Sequence, residues 1–154
     1  MVFTKQITKK RIMVNKIFLV GYMCSGKTTI GRLLAERLNY NFLDTDDTLP
    51  LGRQNRIDRD ELYRVDKKEY NDIEAQILRE ILEKHKNENY VISTGGSTVG
   101  RDENKILMKS SNGVIIYLKI NPKTYCKRME NHRNMVYRFQ WNNSIHSNII
   151  GAIE

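Results

Sequence analysis

The stretch GYMCSGKTTIGRLL, residues 21–34, directly follows the apolar run KIFLV and leads into residues with helical spacing. Gly, four residues, then Gly-Lys-Thr is the spacing of a loop that wraps phosphate. Such a loop turns backbone N–H groups toward the N-terminus of the helix that follows, where the helix dipole is positive. Lys27 adds a mobile charge for the β- and γ-phosphates, and the Thr28 hydroxyl is a ligand for Mg²⁺. Gly21, Cys24, Ser25, Gly26, Lys27, Thr28 and Thr29 are the expected nucleotide-contacting set. Cys24 stands where a tighter glycine spacing would place Gly. Its sulfur near a helix N-terminus is either a thiol of lowered pKa or an inert small group.

Two further stations carry polar chemistry. FLDTDD (42–47) ends an apolar run in Asp44, Asp46 and Asp47. Read as a strand, period two puts Asp44 and Asp46 on one side. One acid beside Mg²⁺ and one accepting a hydroxyl proton is what phosphoryl transfer to an alcohol requires. A helix cap accounts for one of the three acids, most easily Asp47. STGGST (93–98) ends another run in paired glycines, and Gly95 and Gly96 let backbone approach a ligand closely.

These stations need elements to hold them. Residues 16–22 read as a buried strand, and 40–46, 89–96 and 113–120 as the second, third and fourth strands. Residues 26–39 read as a helix with Ile30, Leu33, Leu34 and Leu38 on one face. Residues 58–86 read as a helix with a break near Asp66 and a stripe of Tyr70, Ile73, Ile77, Ile81 and Leu82. Residues 49–56, with Pro50 and Gly52, are a turn or loop. Residues 101–109 form a short helix. A last helix spans 121–130, with Asn121 as N-cap and Pro122 at its first position. Strands alternating with helices predict an α/β fold, a central parallel sheet flanked by helices. In open sheets of this kind ligands bind outside the carboxyl ends of the strands, so residues 21–28, 44–46 and 95–97 converge on one edge.

At 154 residues the chain fits one domain, and 40% hydrophobic residues can fill its core. Residues 1–15 read as a basic mobile arm, with Met13 an alternative start, and 16–154 as the domain proper. No stretch has the length of a membrane span. Two cysteines make neither a disulfide framework nor a metal-ligand spacing, which points to the cytoplasm. The net charge of +8 suits phosphorylated ligands, yet it is spread along the chain and reads first as a lysine-rich solvated surface. No aromatic-plus-basic module for nucleic acid is present. A monomer acting on a small molecule and a nucleotide is the simplest expectation.

In order and spacing, the three stations resemble the shikimate kinase family. IFLVGYMCSGKTTIGRLLAERLNYNFLDTDD and VISTGGSTVGRDEN carry the resemblance, with GVIIYLKINPKT as a weaker third stretch. It implies a five-stranded P-loop kinase core, ATP and Mg²⁺, and transfer of the γ-phosphate to the 3-hydroxyl of shikimate in aromatic amino-acid synthesis. It places Lys27 on the phosphates, Thr28 on Mg²⁺ and Asp44 on a magnesium-bound water. It makes Asp46 the base that holds the shikimate hydroxyls, and Gly95, Gly96 and Ser97 the lining of the substrate site, with substrate helices at about 47–86.

The chain departs from the family pattern in three places. Where the family has Phe-Arg-x-x-Glu, with an Arg that grips the shikimate carboxylate, this chain has YNDIE, which puts Asn71 in that position. Ser97 replaces the third glycine of the family's Gly-Gly-Gly. Residues 131–154 lack the lid motif Arg-Pro-Leu-Leu and a convincing fifth strand, which suggests a diverged or truncated lid and C-terminal segment. Arg133 is the candidate lid cation, Arg138 an ordinary surface charge and Trp141 a core residue. These departures imply impaired activity. They leave open a kinase for another alcohol, such as gluconate, and a nucleotide-binding homologue without catalysis.

Overall fold

The computed structural model describes residues 14–48 and 66–130. Four strands form one parallel sheet: β1 (Lys16–Val20), β2 (Asn41–Asp44), β3 (Tyr90–Ser93) and β4 (Gly113–Tyr117). Their order across the sheet is β2-β3-β1-β4, and every pairing is parallel. Lys16 is in register with Tyr90 on one side and Gly113 on the other, so β1 is interior. The helices are α1 (Lys27–Leu38), the single turn α2 (Thr45–Thr48), α3 (Lys67–Lys84), α4 (Asp102–Ser110) and α5 (Pro122–Glu130), with a 3-10 turn at Thr98–Gly100. All four expected strands and the described helices are present. The expected 1–15 arm, the 49–56 loop and the lid segment fall largely or wholly outside the described residues.

The strand alternation divides the core into two layers. Phe18, Val20 and Ile92 face Ile77, Leu78 and Ile81 of α3 and Met108 of α4. Leu19 and Val91 face Ala35 of α1, with Ile17, Leu34 and Phe42 beside them. β1 and β3 are thus covered on both faces, as a parallel sheet requires, while the edge strand β4 leaves Val114, Ile116 and Tyr117 exposed among the described residues.

Helix boundaries follow local capping. The Asp66 carboxylate accepts from the Glu69 N–H at 2.8 Å, so the break expected near Asp66 is the true start of the described α3. Asn121 accepts from the Lys123 N–H at 2.9 Å, which caps α5 ahead of Pro122. Asn39 closes α1 in the left-handed conformation, φ 54°, with its N–H on the Ala35 and Glu36 carbonyls.

The helix faces differ from their sequence stripes. In α1, Gly31 and Ala35 are buried, Leu34 is half-buried, and Ile30, Leu33 and Leu38 are exposed. The small pair Gly31 and Ala35 lets the helix approach the sheet closely, and this turns the aliphatic stripe aside. In α3, Ile77 and Ile81 are buried as expected, together with Leu78 and the carboxylate residue Glu74.

Lys16 is buried at the start of β1, and its ammonium donates to the backbone carbonyls of Lys86 and Glu88 just beyond α3. Burial holds its pKa below the usual lysine value, while the Glu88 charge pulls the other way.

Candidate functional site

β1 runs out at Val20 and α1 begins at Lys27, so the phosphate-type loop lies at the carboxyl edge of the sheet's interior strand. Gly26 sits at the α1 N-cap with φ 95°, a conformation that favours glycine. The Lys27 ammonium donates to the Gly21 carbonyl at 2.7 Å and the Tyr22 carbonyl at 2.9 Å. Burial lowers the Lys27 pKa, and the charges of Asp46, Asp44 and Cys24 oppose that shift in that order. Lysine, acids and loop therefore share one electrostatic neighbourhood. Ser25 is buried, and its Oγ has no hydrogen-bond partner among the described residues. An orphaned buried hydroxyl in this loop suits a phosphate oxygen.

The acidic station is built differently from its sequence reading. β2 ends at Asp44, and Thr45–Thr48 turns into helix, so Asp44 and Asp46 are not alternate residues of one strand. Asp44 is buried. Its Oδ1 accepts from the Asp46 N–H at 3.1 Å, and its Oδ2 accepts from the Thr28 hydroxyl at 2.7 Å. The capping acid is thus Asp44 rather than Asp47, because only the strand-end carboxylate can reach back over the first N–H groups of the turn. The same contacts set the Asp44 carboxylate and the Thr28 hydroxyl side by side, a hard-oxygen pair of the type that holds Mg²⁺ together with water and phosphate. The residues present fit that ion.

The glycine station closes the third side. The Gly95 N–H donates to the Thr45 hydroxyl at 3.0 Å, tying this turn to the acidic one. A Cβ on Gly95 would lie 2.3 Å from Glu74 Oε1, so any larger residue here would have to displace the Glu74 carboxylate of α3. A Cβ on Gly96 would lie 3.9 Å from the Met23 nitrogen and 4.0 Å from the Gly21 oxygen, which places this turn against the phosphate loop. Ser97 donates to Glu74 Oε2 at 2.7 Å. Asn71, one turn before Glu74 on α3, is half-buried. Arg133 lies outside the described residues.

Sequence reading missed two members of this neighbourhood. Glu74 is the buried carboxylate that the glycine turn packs on. Arg128 of α5 donates from Nη1 to the Cys24 carbonyl at 2.9 Å, holding the loop from the far side. The run CKRME gave no signal that one of its cations would reach a loop more than a hundred positions earlier.

Cys24 has φ 59°, left-handed for a residue with a side chain. That conformation costs roughly 1–2 kcal/mol, and glycine loses about 0.5–1 kcal/mol more backbone entropy on folding. Cys24→Gly is therefore expected to stabilise the chain by about 0.5–1 kcal/mol, raising the thermal midpoint by about 1–4 °C. Differential scanning calorimetry reads this directly; a lowered midpoint would mean that the side chain makes contacts worth more than the strain.

The shikimate kinase family model matches residues 23–147. The shikimate kinase of Azobacteroides pseudotrichonymphae genomovar. CFP2 is 42% identical over 118 residues, covering 77% of this chain and 67% of that protein. Among solved structures, shikimate kinase from Acinetobacter baumannii in complex with shikimate superimposes with a TM-score of 0.64 at 26% identity, over 79% of this chain and 65% of that one. A gluconokinase from Sinorhizobium meliloti 1021 shares the fold, with a TM-score of 0.58 at 21% identity, over 79% of this chain and 66% of that one. The chain thus spans about two-thirds of the length of these relatives. With a matching model over most of its length and a phosphate loop, an acidic turn and a glycine turn assembled at one sheet edge, the chain belongs to the shikimate kinase family.

Proposed function

We propose that this chain phosphorylates the 3-hydroxyl of shikimate with ATP. The observation that carries the reading is the convergence of three stations: the loop around Lys27, the Asp44–Asp46 turn joined to it through Thr28, and the Gly95–Gly96 turn joined to both. A relative of the same fold is solved with shikimate bound, which supports the acceptor.

In this reading the loop amides, the Ser25 hydroxyl and Lys27 hold the β- and γ-phosphates. Thr28 and Asp44 are the residues that would hold Mg²⁺, which supplies charge neutralisation on the phosphates when bound. Gly95 and Gly96 form the floor under the acceptor, and Asn71 lies toward its carboxylate end. Asp46 takes the proton from the 3-hydroxyl. The hydroxyl oxygen forms a bond to the γ-phosphorus as the bond to the bridging oxygen breaks, and ADP leaves with that electron pair. The enzyme works as a monomer in the cytoplasm. No described helix is long and apolar enough to cross a membrane.

The test mixes the full chain with Mg-ATP and a panel of alcohols and follows ADP release. Shikimate-dependent release is the expected result. Asp46→Asn should lower kcat by about 10²–10⁴ and leave ADP affinity unchanged, since a general base acts only as the proton moves. Equal turnover by this variant would remove Asp46 from the base role. Asn71 favours one second reading, an acceptor that carries no carboxylate. Turnover with such an alcohol and none with shikimate would select it.

A further inference from the structure

We infer that Ser97 and Glu74 form a positioning pair, a hydrogen-bonded latch between α3 and the glycine turn that sets the height of the acceptor floor over the phosphate loop. In its effect on turnover the inference rests on the kinase reading above; its geometry stands without it.

Glu74 is only 8% exposed, yet it points at the turn rather than into the apolar core. Its Oε2 accepts from the Ser97 hydroxyl at 2.7 Å, and the Tyr70 hydroxyl lies 3.4 Å from its Oε1. The same Oε1 fills the space in front of Gly95, where any Cβ would collide with it. Ser97 therefore does not direct its hydroxyl proton at an acceptor molecule. It spends that proton on the carboxylate that Gly95 packs against.

The turn is pinned from three directions. Thr45 accepts from the Gly95 N–H at 3.0 Å, and Asn104 of α4 donates to the Thr98 carbonyl at 2.9 Å. The third restraint, Ser97 to Glu74, holds the residue that follows Gly96, which faces the phosphate loop. It is also the one that ties the turn to α3, the helix that carries Asn71. Asn71 and Glu74 are three residues apart, so they share a face of α3. A glycine at position 97 would leave the turn without this tether to α3. In this chain the serine supplies a side-chain bond that fixes the Gly95–Gly96 backbone relative to the residues flanking the acceptor.

Hydrogen bonds to charged groups are worth enough to change a local opening equilibrium about tenfold or more. Amide hydrogen exchange on the full chain tests the latch without turnover. Ser97→Ala should speed exchange of residues 94–98 about tenfold or more and leave β1 unchanged, while Ser97→Thr restores protection. In the kinase assay Ser97→Ala should raise KM for shikimate about tenfold and KM for Mg-ATP less than about twofold, with Thr again restoring the parent value. Unchanged exchange at 94–98 would overturn the inference, as would faster exchange throughout the chain or failure of Thr to rescue. An equal rise in both KM values would also overturn it, since a latch on the acceptor floor must act on one substrate more than the other. If the parent chain shows no shikimate-dependent turnover, the proposed function fails and the exchange experiment still decides the latch.

Discussion

Lys27→Ala is expected to weaken Mg-ATP binding at least about 100-fold, to the limit of detection by titration calorimetry, while the circular dichroism spectrum stays that of the parent. The ammonium contributes little packing. Its two bonds go to loop carbonyls, at 2.7 and 2.9 Å, and those carbonyls regain water when it is removed. What it contributes is charge. Two charge-assisted hydrogen bonds to phosphate are worth roughly 1.5–3 kcal/mol each, and about 2.8 kcal/mol is already a hundredfold in Kd. The lowered pKa of Lys27 arises first from burial. A polyanion in the loop opposes that shift and raises the Lys27 pKa again, so nucleotide binding is expected to take up protons at alkaline pH. Parental affinity in the variant would mean that the loop holds no phosphates.

Asn71→Arg is the second large expected effect, and it runs toward gain. An amide cannot make the bidentate ionic pair that a guanidinium makes with a carboxylate. One such contact is worth about 1.5–3 kcal/mol, so shikimate should bind about 10- to 100-fold more tightly while ADP affinity is unchanged. Glu74 modulates the size of this gain. It lies one turn along the same face, and an introduced guanidinium has a choice between that buried carboxylate and the ligand. Capture by Glu74 would place the result toward the lower end of the range and loosen Ser97 in the exchange experiment. Fluorescence or calorimetric titration with shikimate, with ADP as control, reads both. No change in shikimate affinity would place the carboxylate elsewhere.

The features that sequence made legible are those encoded within a few residues. The loop spacing, the break near Asp66 and the cap at Asn121 depend on near neighbours, and each stands where expected. The four strands were readable from short apolar runs; β1 and β3 are apolar because both their faces are covered, whereas the run of β4 includes the exposed Val114 and Ile116. Features set by distant packing were not legible. The orientation of α1 follows from Gly31 and Ala35 meeting a sheet whose register the helix cannot know. Asp44 looked like half of a strand-end pair. Its capping role appears only once the chain turns at Thr45 and Thr28 comes within 2.7 Å. Gly95 was read as space for a ligand, and part of that space belongs to Glu74, 21 positions earlier.

The interior position of β1 has a consequence for how the molecule is made. The strand leaves the ribosome first, yet its neighbours are Tyr90–Ser93 and Gly113–Tyr117. At about 5–20 residues per second, roughly 4–15 s of translation separate Ile17 from the first residue it can pair with. During that interval Ile17, Phe18, Leu19 and Val20 have no sheet to enter, and a nascent-chain holdase has a ready target in them. Only local helices, α1 and later α3, can form in the meantime, and they have no sheet to pack on. Sheet assembly must therefore wait for β3 and then β4, which makes folding of this chain late, nonlocal and dependent on what shields its first strand.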